Sequence, residues 1–126
     1  MSEEVLKIIS DAMSEMGLNY EFMEYGSNPS YPYFTGEYQE TEPTNEDGLQ
    51  ETTFIITGHS RGSWLALEEA KKKIKDYFPK VEGKTVITDS GSAVAIFYAN
   101  STPIPTVVGE LKKIQINLTV KEWSVN

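Results

Sequence analysis

The residues of this chain that come nearest to chemistry are Gly58-His59-Ser60-Arg61-Gly62, which spell the Gly-x-Ser-x-Gly string of a nucleophile elbow. Phe54-Ile55-Ile56-Thr57 before the string reads as a strand and the segment after it as a helix, the setting such an elbow requires. A serine hydroxyl, however, is a poor nucleophile at neutral pH unless an imidazole takes its proton and an acid orients that imidazole. The one histidine in the sequence is His59, adjacent to Ser60 and carried away from it by the backbone. Arg61 stays protonated and cannot act as a base, and the nearest lysines fall on the far turns of a solvated helix. With 126 residues the chain is also short of the parallel sheet that hydrolases of this type need. We therefore expect no catalysis by Ser60 and no enzyme activity. Gly58 and Gly62 would instead permit a tight strand-to-helix turn, with Ser60 or Ser63 as the helix N-cap. An anion could sit at this helix start beside Arg61, but turn chemistry explains the same residues.

Other constellations offer less. Glu42, Glu46 and Asp47 lack the alternating oxygen ligands and mid-loop glycine of a calcium loop, so they read as part of a solvated acidic loop. Without cysteine there is no disulfide, thiolate nucleophile or Cys-ligated zinc. Tyr20, Phe22, Tyr25, Tyr31, Tyr33, Phe34 and Tyr38 could form a stacking platform, although strands also bury alternating aromatics. Trp64 opens a helix, where it is either an interface residue or packed on the sheet. The triplets Asn100-Ser101-Thr102 and Asn117-Leu118-Thr119 match a glycosylation pattern that is common by chance.

Composition bounds the class. Nineteen acids against eleven bases give a formal charge of -8, a field that repels nucleic acid phosphates, so sequence-reading DNA binding is not expected. Apolar residues make up 39% and mean hydropathy is -0.38, values that suit one small domain with a thin core. Met1-Ser2-Glu3-Glu4 lacks the basic flank and apolar run of a signal peptide, and no run reaches membrane-span length, so a soluble, intracellular protein is expected.

The elements that must position these residues follow from periodicity. Ser2 caps a first helix with Val5, Ile9, Ala12, Met13 and Met16 on one face, and Gly17 stops it. Residues 19–25 form a weak strand, and Tyr31-Pro32-Tyr33-Phe34-Thr35-Gly36-Glu37-Tyr38 reads as a strand starting at a sheet edge. Glu40 to Glu51 is a solvated hairpin loop, and Thr52 to Thr57 is a strand. A helix from Ser63 carries Leu67, Ala70, Ile74, Tyr77 and Phe78 inward and ends at Pro79. Lys84 to Thr88 and Ala93 to Ala99 are strands joined by Asp89-Ser90-Gly91-Ser92, and Pro103 and Pro105 hold Ser101 to Thr106 as an extended loop. From Leu111 to Trp123, Ile114, Ile116, Leu118 and Val120 alternate with polar residues as a half-buried antiparallel strand should. The order α, β, β, β, α, β, β, β implies a single α+β domain over residues 1–126: two layers, a mainly antiparallel sheet packed by two α-helices.

This order, with the residues Tyr31 to Tyr38 and Thr57-Gly58-His59-Ser60-Arg61-Gly62-Ser63-Trp64-Leu65, resembles the tail terminator, or tail completion, proteins of long-tailed phages and prophages of Gram-positive bacteria. The resemblance spans nearly the whole chain in element order and is densest in Tyr31 to Tyr38 and Thr57 to Leu67. It implies a structural virion protein with no cofactor, no metal and no bond chemistry, assembled in the bacterial host cytoplasm. As a hexameric ring on the head-proximal end of the tail tube, the protein would stop tube polymerisation and offer the head–tail joining surface. Its partners would be other copies of itself, the major tail tube protein and a neck or connector protein. DNA would pass through the channel without specific binding, and no membrane is involved. Long irregular loops in a small domain usually carry contacts, which makes Glu42, Glu46, Asp47, Pro103, Ile104 and Pro105 candidate interface residues together with Arg61 and Trp64. A head–tail connector protein and a small ligand-binding adaptor domain are the alternatives.

Overall fold

The computed structural model describes residues 1–24, 26, 30–40, 49–107 and 109–123. Its elements follow the order read from the sequence: α1 (Glu3–Glu15), β1 (Tyr20–Phe22), β2 (Tyr33–Glu40), β3 (Leu49–Arg61), α2 (Leu65–Tyr77), β4 (Lys84–Ile87), β5 (Ala93–Ile104) and β6 (Leu111–Trp123). The Ser2 hydroxyl accepts the Val5 N–H at 3.3 Å, with Glu3 and Glu4 in the positive first turn of α1. The helix ends at Gly17, whose φ of +74° lets Leu18 N–H reach the Met13 carbonyl and its own N–H reach that of Ser14. These are the paired bonds of a Schellman stop.

The strands form one curled sheet in the order β1-β2-β3-β6-β5-β4, antiparallel except where the short β1 runs parallel to β2. Both helices pack on the same face. Phe34, Phe54, Ile56, Ile96, Ile114, Ile116, Leu118 and Val120 meet Val5, Ile9, Met13, Leu67, Ala70 and Ile74 there in one core. Each large side chain fully buried in it contributes about 1.5–3 kcal/mol. Among the described residues no helix is long and apolar enough to cross a membrane.

Several elements run further than local pattern suggests. β3 spans Leu49–Arg61 because β6 offers a full-length partner, pairing Leu49 with Trp123 at one end and Arg61 with Leu111 at the other. Gly58, His59, Ser60 and Arg61 therefore lie in a strand, and the expected turn at Gly58 is corrected: the chain turns only at Gly62, with φ +83°. Gly58 serves packing, since a Cβ there would lie 2.6 Å from Phe34 Cε2 and 3.1 Å from Ile114 Cγ2. α2 begins at Leu65 rather than Ser63, with Trp64 at the N-cap and no side-chain bond from it. Ser63 Oγ accepts the Ala66 N–H at a long 3.4 Å, while Ser60 does not cap the helix at all.

The supposed loop Ser101 to Thr106 is likewise corrected, because Ser101 to Ile104 continue β5 and pair with β6 after a bulge between Tyr98 and Asn100. Pro103 is tolerated because β4 pairs only as far as Ile96, so among the described residues the outer side of β5 has no strand neighbour at Pro103. Tyr31 precedes β2, joined to Pro32 by a cis peptide bond, and the strand proper starts at Tyr33. Leu49 to Glu51 belong to β3, and Glu40 ends β2.

Gly58→Ala is expected to lower stability by about 1–3 kcal/mol through overpacking against Phe34. The neighbouring Thr57→Ala, whose side chain points away from that core, should stay within about 0.5 kcal/mol. Denaturant melts of both variants decide the point, and equal losses would refute the packing role of Gly58.

Candidate docking face of the sheet

Strand alternation sends every second residue to the face that neither helix covers. The cross-strand register sets these residues in rows: Thr35, Thr57, Gln115 and Thr102, then Glu37, Ile55, Asn117 and Asn100. Side-chain amides link these rows: Asn117 Nδ2 donates to Asn100 Oδ1 within the second at 2.7 Å, and Gln115 Nε2 of the first donates to Asn117 Oδ1 at 3.1 Å. The result is a largely polar band, amide and hydroxyl groups with Ile55 among them and Glu37 at its β2 end.

One end of this face is aromatic and cationic. The His59 ring stacks on Tyr33 with centroids 4.4 Å apart and planes 9° from parallel. Tyr31 tilts against Tyr33 at 5.3 Å, and the Arg61 guanidinium lies 5.3 Å from the Tyr31 ring centre. Arg61 Nη1 also reaches Glu110 Oε2 at 3.3 Å. Lys113 lies opposite His59 on β6, with Ile104 beyond it on β5. Half-burial, and then the charge of Lys113, hold the His59 pKa below the ordinary histidine value.

Of the residues singled out from sequence, Arg61, Ile104 and Pro105 come together at this end of the sheet. Pro103 pairs with Ile114, which places it on the helix side of β5, where it is exposed at the edge. Trp64 sits in the helix layer, half-buried against the core. Glu42, Glu46 and Asp47 lie outside the described residues. The aromatic set divides: Phe34 is buried in the core, Phe22 stacks with Tyr38 at the sheet margin, and only Tyr31 and Tyr33 reach the cationic end; Tyr25 is outside the described residues. Lys113 was the residue that sequence reasoning passed over. Its signal was present, because alternation with Ile114 and Ile116 places it on the uncovered face.

The pleat also separates the two residues that hydrolysis would need. Ser60 is 2% exposed on the helix face and donates to the Ser63 carbonyl at 2.7 Å, while His59 points to the opposite face. Among the described residues no three His, Asp or Glu side chains gather where a metal could be held. In comparison with known proteins, no family model matches the chain and no curated protein matches it.

His59 makes stability pH-dependent in a defined direction. Its folded pKa lies below the unfolded value of about 6.5, so the unfolded chain binds the proton more readily, and stability falls as pH drops from about 7 towards 5. His59→Phe keeps a ring to stack on Tyr33 and removes the titration. Thermal melts at stepped pH should show a smaller acid loss for the variant, and identical profiles would exclude His59 as the source.

Proposed function

We propose that this chain is a structural assembly protein of a phage tail, a tail terminator that forms a ring on the head-proximal end of the tube and halts its growth. The observation that carries this reading is the uncovered sheet face, largely amide and hydroxyl across its middle and aromatic-cationic at one end. Such a face is built to be met by another protein: Tyr and Arg are the residue types that anchor interfaces, and a polar surround can stay wet until docking. Arg61, Ile104 and Pro105 supply the contact end, with Tyr31 and Tyr33 beside them. The element order and the tail-terminator resemblance of Tyr31 to Tyr38 and Thr57 to Leu67 point the same way.

In this reading the protein carries out no bond chemistry and needs no cofactor. The acidic chain lets DNA pass without adhering, because like charge repels the phosphates. A neck or connector role would use the same faces and differs only in which partner meets them. A ligand-binding adaptor would need free ring faces at the aromatic end, and there His59 already stacks on Tyr33 while Arg61 lies over Tyr31.

The direct test adds the purified protein to polymerising subunits of a major tail tube protein. Tubes should stop elongating, and Arg61→Glu should weaken the effect by on the order of tenfold, as loss of one interface anchor costs. Tubes that lengthen unhindered would sink the proposal. A parallel assay on simple esters should show no turnover that Ser60→Ala removes.

A further inference from the structure

The outer side of β4 presents backbone groups that nothing in the described chain takes up. Thr88 N–H donates to the Ser92 carbonyl at 2.9 Å, so it faces β5, and alternation along an antiparallel ladder turns the backbone groups of Val86 and Lys84 the same way. Those of Thr85 and Ile87 therefore point outward, where no strand pairs with β4 among the described residues. The Ile87 side chain, on the face that neither helix covers, is 66% exposed. Lys84, the one base on the strand, is drawn away over the Tyr77 ring, with Nζ 3.9 Å from its centre.

Beside this edge, on the helix side of the sheet, α1 and the end of β4 form a groove of about 230 Å³. Ile8 and Val86 supply its apolar lining, and Glu4, Asp11 and Asp89 stand around them against the single base Lys7. Lys7 is already paired with Asp11 at 2.9 Å. Glu4 is held by Ser90, whose N–H and hydroxyl donate to its carboxylate at 3.2 and 2.6 Å. The hydroxyl bond above all keeps the Glu4 pKa below the ordinary carboxylate value, and these neutral donors leave its charge in place. An open strand edge and an acidic groove with an apolar lining thus lie side by side.

We propose that the β4 edge receives an extended basic segment of another protein as an added strand, with lysine or arginine side chains over the acidic groove and apolar side chains against Ile87. Backbone bonds to Thr85 and Ile87 hold such a strand, and the side chains select its sequence. On the helix side an aliphatic stem packs on Val86 and Ile8 while its cation reaches Glu4, Asp11 or Asp89. The next residue turns to the other face and covers Ile87, so the occupant alternates basic and apolar residues. A second copy of this chain is the wrong partner. Its free strand β1 is Tyr20-Glu21-Phe22, with an acid and no base, and its β4 brings the same acidic groove. This edge is separate from the uncovered face and does not rest on the tail reading.

The probe is a fluorescein-labelled peptide of alternating lysine and valine, titrated into the intact protein by fluorescence anisotropy, with a glutamate–valine peptide of equal length as control. The lysine peptide should bind and the glutamate peptide should not. In the wild-type chain, amide hydrogen exchange followed by NMR should slow on the order of tenfold at Thr85 and Ile87 when the lysine peptide is added, and change little at Val86, which already faces β5. Asp11→Lys/Asp89→Lys, altered only at exposed positions and checked for folding by circular dichroism, should weaken binding on the order of tenfold. The exchange measurement decides the point even where that variant folds poorly. No binding of the lysine peptide, equal binding of both peptides, binding without protection at Thr85 and Ile87, or a folded variant that binds as the wild type does would each overturn the proposal. Protection of the same two amides in the protein alone as its concentration rises would give the edge to a second copy and overturn it as well.

Discussion

The pairing of β3 with β6 is the constraint on which the rest of the molecule depends. Thirteen residues of each strand lie in one uninterrupted register, although about fifty residues of chain separate them. That register is strongly specified, because a slip by one residue would exchange the two faces of a strand. A slip of β3 would turn Phe54 and Ile56 out of the core and away from Ile114, Ile116 and Leu118 of β6. The remaining sheet is added to this pair, β2 and β1 on one side and β5 and β4 on the other.

The same register makes the uncovered face. Having assigned one set of side chains to the helices, the pleat has no choice about the other, and it places His59, Lys113 and Ile104 in one row. Arg61 is carried to that end because β3 continues to its last pair with Leu111 before Gly62 turns the chain into α2. The hydrolase-like string is thus divided by geometry: Ser60 becomes a buried hydroxyl held by the Ser63 carbonyl, and His59 a surface ring on Tyr33. Side chains adjacent in a strand cannot cooperate across the sheet that separates them.

Edge management follows from how far each strand finds a partner. β4 covers β5 only to Ile96, and among the described residues this leaves the outer side without a strand neighbour where Pro103 contributes no N–H. The Phe78 carbonyl at the end of α2 takes up Tyr98 N–H at 2.9 Å beside the bulge. On the opposite side β1 is three residues long, and the stacking of Phe22 on Tyr38 fastens it to β2.

Local chemistry by itself determined the elements whose signals lie within a few residues. Ser2 and Gly17 mark α1 because capping and a left-handed stop are short-range hydrogen-bond arrangements. The alternation around Ile114, Ile116, Leu118 and Val120 marks β6 because one face of a half-buried strand must be apolar. The missing partner for Ser60 was equally legible, since it needed only a count of histidines. Only the tertiary structure decided where β3 and β5 end, because glycine at position 58 and proline at position 103 look like breaks until a full-length neighbour or a free edge explains them. It alone also joined Tyr31, Tyr33, His59, Arg61 and Lys113 into one end of one face. Those residues come from three separate segments, and only the long-range register of the sheet brings them together.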